Sequence, residues 1–313
     1  MIVKFHEAVK LLKNDEVVAV PSETVFGLAA SIHSPRAIRK IFSLKGRPPI
    51  NPLIVHFSSV EQILEFVDID AKLLVYLKSM WPGPLTLVAP LKKELDTAIT
   101  AGLNTLAVRI PNHPVFLDLI REVGPLAAPS ANRSGLPSAT RAWHIEEDYD
   151  GQVPMVEGAP PIHGLESTII IQKEGYLEIG RLGATPIECL REHFIIHTTN
   201  SVESAPICPG QLLRHYSPNC ELTTNISADF EAIVGYGDVT YQWNLPLYNL
   251  GSKQDPSGIA RNLYEMLRRL DVDKIKKAFV DLDIPSHGLY APIQERLSRA
   301  LVKKTNLQGG IHV

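Results

Sequence analysis

The chain reads as an α/β protein in two parts, and three observations carry that reading. Its 313 residues are about twice the usual length of a single domain. Over the first 195 residues, helical and strand-like stretches alternate between Pro- and Gly-rich loops, the pattern of a mixed α/β fold. Between Asn200 and Asn219 the periodicity lapses, with three prolines and no clear repeat, as expected of an ordered connector between domains.

The elements follow in order. Helical spacing predicts helices from His6 to Lys13, Pro35 to Leu44, Val60 to Phe66 and Ala71 to Met80. Short β-branched or apolar runs bounded by turn residues predict strands at Val17 to Val20, Leu53 to Phe57, Leu85 to Pro90, Thr105 to Ile110 and Ser167 to Ile171. Beyond the connector, EAIVGYG and KKAFVDL read as strands and APIQERLSRALVKK as the last helix. DPSGIARNLYEMLRRLDV reads as a helix with Asp255 as N-cap and Pro256 in its first turn. Ile259, Leu263, Leu267 and Leu270 give that helix one apolar face. The expected division is 1–195 for the first domain, 196–221 for a linker and 222–313 for a small α/β domain.

Composition narrows the function. Hydrophobic residues at 45% and charged residues at 21% suit a packed core rather than a disordered chain. The net charge of -3 argues against holding nucleic acid by bulk electrostatics. Cys189, Cys208 and Cys220 fit neither a disulfide framework nor a Cys-x-x-Cys zinc site, which points to reduced thiols and a cytoplasmic setting. MIVKFHEAVKLLKND lacks the pattern of a signal peptide, and no apolar run approaches the roughly 20 residues of a bilayer span. His193 and His197 stand four apart but lack the Glu of a metalloprotease helix, and HFIIH reads as a strand.

Charge is missing where it is most informative. No Asp or Glu occurs from Thr24 to Val60, 37 residues in which the average composition would place about four. The same run carries Arg36, Arg39, Lys40, Lys45 and Arg47, so a negative chain builds one positive segment and an anionic ligand is implied. Arg36, Arg39 and Lys40 equally suit a solvated helix face. Lys45 and Arg47 flank a glycine and precede two prolines, which predicts a stiff loop holding two cations at fixed separation. A Lys supplies a compact charge and an Arg a fork of donors to paired oxygens. Two further acid-free runs, Thr97 to Leu117 and Val123 to Ile145, hold Arg109, Arg133 and Arg141 among loop residues such as PSANRSG. Neither a P-loop nor Gly-x-Gly-x-x-Gly occurs, so composition and spacing stop at an enzyme or binder with an anion-lined cleft.

Six segments carry a family likeness. PSETVFGLAA, KGRPPINPLIVH, WPGPLTLV, TLAVRIPNHP, PLAAPSANRSGLPS and GLESTIII with GRLGATP come in the order and spacing of the YrdC family. The chain then resembles the longer, two-domain threonylcarbamoyl-AMP synthases, whose linker signature is read in PGQLLRHYSP and whose C-terminal Rossmann-like domain is similar to residues 222–313. The resemblance implies a YrdC-like twisted mixed α/β domain with a positively charged concave cleft, then the linker and the Rossmann-like domain. It implies condensation of L-threonine, bicarbonate and ATP into L-threonylcarbamoyladenylate and pyrophosphate. That is the first step of threonylcarbamoyladenosine formation in tRNAs that read codons beginning with A. Magnesium is expected only on the ATP phosphates, with no tightly bound organic cofactor. The implied partner is a downstream tRNA threonylcarbamoyl-transfer complex, and direct tRNA binding stays open.

By the same resemblance, Lys45, Arg47, Ser130 and Asn132 serve the phosphates and the carbamate. Arg47, Asn51, Thr105, Ser130, Ser138, Arg181, His215 and Tyr216 fall at positions similar to ATP contacts. Thr24, His56, Arg109, Ala128 and Ser167 resemble a threonine pocket, with Arg109 suited to a bidentate grip on the substrate carboxylate. An unpaired buried guanidinium is costly, so a ligand or an internal carboxylate must meet Arg109. The chain departs from the family pattern at Ser22, Phe26, Leu182 and the linker's QLL. Two other readings are an RNA-binding module without catalysis, which the charge balance disfavours, and carbamoyl-adenylate chemistry for another acceptor.

Overall fold

The computed structural model describes residues 1–198, 208, 216–227 and 229–302. They fall into two compact units, Met1–Ser134 with Ser138–Gln211, and Gly135–Pro137 with Leu212–Val313. Most of the expected linker lies outside the described residues.

The first unit is built on one mixed sheet. Its strands in chain order are β1 (Ile2–Val3), β2 (Val18–Val20), β3 (Gly27–Ser31), β4 (Ile54–His56), β5 (Leu85–Pro90), β6 (Thr105–Arg109), β7 (Leu126–Ala127), β8 (Met155–Val156), β9 (Thr168–Lys173), β10 (Tyr176–Arg181) and β11 (Ile196–Thr198). Across the sheet they run β1-β8-β2-β3-β7-β4-β6-β5-β9-β10-β11. Eight helices accompany them: α1 (Phe5–Lys13), α2 (Pro35–Lys45), α3 (Val60–Leu64), α4 (Ala71–Met80), α5 (Thr97–Thr100), α6 (Pro114–Val123), α7 (Ala142–Tyr149) and α8 (Glu188–Arg191).

Strand periodicity sorts the core into two layers. Leu28 and Ala30 of β3 join Ile38 and Ile41 of α2 and Leu73 and Leu77 of α4. Ala29 points the other way, with Val18, Val20, Ala8 and Leu12 of α1 and Phe116, Leu119 and Ile120 of α6. Local chemistry fixes the ends. Ser34 Oγ accepts the Ala37 N–H at 3.1 Å at the start of α2, with Pro35 at the first helical position. Gly46, at φ 60°, closes α2 in the left-handed conformation that a glycine adopts without strain. Asp70 caps α4 through the Lys72 and Leu73 N–H groups.

Besides loops, the acid-free runs hold α5, the starts of α6 and α7, and β6, which is the strand expected from Thr105. Arg133, an exposed residue, donates from its side chain to the Asp148 carbonyl beside the Tyr149 ring. Arg36, Arg39 and Lys40 lie on the exposed face of α2 and pair with Glu16 and Asp96.

The second unit carries four parallel strands, β12 (Glu221–Thr223), β13 (Ala232–Gly235), β14 (Leu247–Asn249) and β15 (Lys277–Val280), in the order β12-β15-β13-β14. Helices α9 (Pro256–Val272) and α10 (Tyr290–Ala300) complete it. Asp255 accepts the Gly258 N–H at 2.9 Å as the N-cap of α9. Ile259, Leu263, Leu267 and Leu270 are fully buried, as the apolar face of the sequence predicts. No helix among the described residues is long and apolar enough to cross a membrane.

Candidate active site

The residues expected around the phosphates lie where α2 ends and where the chain leaves β7. Lys45 is the last residue of α2 rather than part of a polar loop, and it is 3% exposed. Its ammonium donates to the carbonyls of Ser130 and Asn132, and its own carbonyl accepts the Ser134 N–H at 2.8 Å. Lys45, Ser130 and Asn132 are thus brought together, with the lysine pinning the PSANRSG loop from beneath. The loop is also stitched to β3 and the residue before it: Pro129 O accepts the Leu28 N–H at 2.8 Å and Phe26 O accepts the Ala131 N–H at 2.7 Å.

Arg47 donates from Nε to Asn51 O at 3.2 Å and from an Nη to Pro52 O at 2.8 Å, so the guanidinium folds the RPPIN turn around itself. Asn51 is 2% exposed, and its buried Oδ1 has no hydrogen-bond partner among the described residues. A buried acceptor without a donor is costly unless a ligand or water meets it. Ser138 Oγ donates to Glu166 Oε1 at 2.5 Å. Thr105 opens β6, half-buried.

The threonine-pocket candidates meet through the sheet. In the parallel β4–β6 pair His56 is the register partner of Arg109, and in the antiparallel β4–β7 pair it faces Leu126. The Ala128 N–H donates to Ile54 O at 3.1 Å. Arg109 Nη1 and Nη2 donate to Thr24 Oγ1 at 3.1 and 3.2 Å, and Nε donates to Gly83 O at 3.1 Å. Arg109 Nη2 stands 2.6 Å from Glu23 Oε1, with both side chains buried. An internal carboxylate therefore meets Arg109, and the Nη1/Nη2 fork is already occupied, so the arrangement offers no bidentate grip to a substrate.

Burial pushes the Glu23 carboxyl up, but the Arg109 charge and the Asn112 backbone N–H outweigh it and leave the carboxyl below its ordinary range. Burial, reinforced by Arg109, holds the His56 imidazole well below its ordinary pKa and hence neutral. His56 Nδ1 is buried without a hydrogen-bond partner among the described residues, and the ring packs 4.9 Å from that of Phe116.

Ser167 and Arg181, expected on the amino-acid and nucleotide sides respectively, touch each other. An Arg181 Nη donates to Ser167 O at 2.9 Å and to Ser167 Oγ at 3.2 Å, and Ser167 Oγ lies 2.7 Å from Thr86 Oγ1. The backbone at Gly183 explains the Arg-Leu-Gly turn: a Cβ there would stand 2.4 Å from Glu166 O and 2.5 Å from Thr168 N. Tyr216 belongs to the second unit, fully buried, its ring stacked on Tyr264 at 5.5 Å with the Arg296 guanidinium 4.8 Å away. His215 lies outside the described residues.

Glu23, Thr86 and Glu166 are the polar partners that motif reading passed over. Glu23 had a signal, since the acid-free run begins one residue after it.

Comparison with known proteins places this geometry. The family profile for Sua5, YciO and YrdC, described as "Telomere recombination", matches residues 10–183. A second, described as "Threonylcarbamoyl-AMP synthase, C-terminal domain", matches residues 184–301. The threonylcarbamoyl-AMP synthase of Bacillus subtilis (strain 168) is 35% identical over 319 residues, covering 94% of this chain and 92% of its own. That of Pyrococcus abyssi (strain GE5 / Orsay) is 34% identical over 325 residues, covering 95% and 94%. Among solved structures, P. abyssi Sua5 complexed with L-threonine is similar with a TM-score of 0.85 at 30% identity, over 96% of this chain and 97% of that one. With both halves matched and the relationship running nearly end to end, the chain belongs to the Sua5/YciO/YrdC family in the form that carries the threonylcarbamoyl-AMP synthase C-terminal domain.

Proposed function

We propose that this protein condenses L-threonine, bicarbonate and ATP into L-threonylcarbamoyladenylate, releasing pyrophosphate. The product is the activated intermediate for threonylcarbamoyladenosine in tRNAs that read codons beginning with A. The observation that carries the reading is the junction of Thr24, Arg109 and His56 beside the pinned PSANRSG loop, in a chain related over its length to threonylcarbamoyl-AMP synthases. The relative from P. abyssi was solved with L-threonine bound.

The chemistry suits these residues. The threonine amine attacks the bicarbonate carbon, giving the N-carboxylate with loss of water. A carbamate oxygen then attacks the α-phosphorus of ATP, and the bond to the β-phosphate oxygen breaks as pyrophosphate leaves. Two anions must meet, so positioning and charge stabilisation matter more than a protein nucleophile. In this reading Arg47, Asn51, Thr105, Ser130, Ser138 and Arg181 contact ATP, while Lys45 and Asn132 shape the loop that holds phosphate and carbamate; the expected contact at Tyr216 is not kept, because its ring is fully buried against Tyr264. Thr24, His56, Arg109, the Ala128 backbone and Ser167 enclose threonine, and the neutral imidazole of His56 leaves its orphaned nitrogen for the amino acid. Magnesium enters with ATP as part of the substrate. We take the domains as 1–195, linker 196–221 and 222–313, the setting as cytoplasmic, and the consumer of the labile product as a tRNA threonylcarbamoyl-transfer complex.

Mass spectrometry of the products after incubation with ATP, bicarbonate and each amino acid in turn tests the function. Threonylcarbamoyladenylate and pyrophosphate in equal amounts, formed with threonine, are expected. No adenylate with any amino acid refutes the assignment.

A further inference from the structure

A guanidinium carries five N–H groups, and the described hydrogen bonds of Arg109 engage three of them. Gly83 O takes Nε–H and Thr24 Oγ1 sits in the Nη1/Nη2 fork, while Glu23 Oε1 stands 2.6 Å from Nη2 as an ion-pair partner. One N–H remains on Nη1, the nitrogen that Glu23 does not pair. Glu23 is itself clamped: its carbonyl accepts the N–H groups of His163 at 2.9 Å and Ile162 at 3.1 Å. Both charged groups are nearly inaccessible to solvent, with side chains 4% and 2% exposed, so the pair is held in one geometry rather than sampling many.

We propose that Glu23 is a positioning residue of the amino-acid pocket, holding Arg109 by a buried ion pair so that the single remaining Nη1–H is presented to the carboxylate of the amino-acid substrate. The proposal rests on the reading of Arg109 as a threonine contact given under Proposed function. Its physical content is twofold. A lone buried guanidinium would be strongly disfavoured, and Glu23 removes that cost without using the donor that the substrate needs. A pocket whose cation is already neutralised also suits a zwitterion, which brings no net charge, better than a simple anion. Glu23 acts through Arg109, since both of its carboxylate oxygens are buried away from solvent.

Glu23→Gln keeps the side-chain shape and removes the charge, and Glu23→Asp keeps the charge but withdraws it by one methylene. Steady-state kinetics of both, beside Arg109→Met and the double variant Glu23→Gln/Arg109→Met, separate the possibilities. Expected is a rise of about tenfold or more in KM for threonine with kcat within about threefold and KM for ATP within about twofold, the signature of lost binding at one substrate. The double variant is expected to be no worse than Arg109→Met alone, because Glu23 has nothing left to position. Threonine KM unmoved in both Glu23 variants while Arg109→Met raises it overturns the proposal and leaves the functional reading standing. A further rise on adding Glu23→Gln to Arg109→Met also overturns it, since Glu23 would then act independently. Threonine KM unmoved in Arg109→Met overturns the placement of Arg109 in the pocket. Should Glu23→Gln fail to fold, Glu23→Asp decides by the same criteria.

Discussion

Buried at the end of α2, the Lys45 ammonium holds two loop carbonyls, while Arg47, two residues on, is partly exposed and binds carbonyls of its own turn. The two cations therefore respond differently to removal. Lys45→Ala is expected to abolish synthesis and to lower unfolding stability by about 2–4 kcal/mol, because two buried acceptors lose a charged donor. Arg47→Ala is expected to abolish synthesis with a melting temperature within about 2 °C of wild type. Turnover with thermal melting of both variants checks this, and equal destabilisation would deny the distinction.

Titration offers a second residue-scale expectation. The depressed His56 pKa means that the unfolded chain binds a proton the folded chain refuses, so this stability is full above the ordinary value of 6.5 and falls as pH drops toward the folded value. His113 and His163, also lowered by burial, act in the same direction. Glu23 adds a later loss, beginning as pH falls below its ordinary value of 4.5. Thermal melting between pH 8 and pH 5 should fall in the wild type and fall less in His56→Gln; parallel curves would contradict it. The sequence showed that Arg109 required a partner, yet the choice between substrate and internal carboxylate depends on which strand lies beside which, and adjacency to Glu23 is a product of the fold.

Elements were legible in proportion to their contrast. α4 and β5 match their expected spans residue for residue, since each sets an apolar pattern between strong turn residues. β3 gave no such signal, because GLAAS is small and buried throughout and shows no period-2 alternation. The interior of α6 carries Phe116, Leu119 and Ile120 at helical spacing around Asp118 and Glu122, a pattern that the sequence reading left unassigned. The turn at Gly183 is an element-scale device that sequence alone hides: its lack of a side chain lets the chain pass against Ser167. Gly183→Ala should displace the Ser167 backbone and lose most activity, with KM for both threonine and ATP raised because Ser167 and Arg181 share hydrogen bonds. Wild-type KM values for both substrates in a folded Gly183→Ala protein would contradict this.

At the scale of the molecule, the two largest apolar clusters of the first unit draw only on residues between Val3 and Ile196. Residues 1–198 expressed alone should therefore unfold cooperatively, yet show strongly reduced synthesis because the RHYSP signature that the family resemblance ties to ATP is gone. Full activity in the truncated chain would reduce the segment after residue 198 to a tether. That the chain has two α/β parts was legible, whereas the strand order of the sheet was not, since it is set by pairings between segments far apart in the chain.

The claim on which the account turns is that a pocket lined by Thr24, Ser167 and His56 reads the threonine side chain through its hydroxyl. A site built to pair a hydroxyl rejects an analogue lacking it by as much as about 10⁴-fold, while loss of one methyl costs only about 1–3 kcal/mol. Pyrophosphate release with threonine, serine and valine at saturating ATP and bicarbonate is the direct measurement. The account predicts kcat/KM falling modestly for serine and by orders of magnitude for valine. Comparable values for valine and threonine would mean that the pocket reads shape alone and would contradict it.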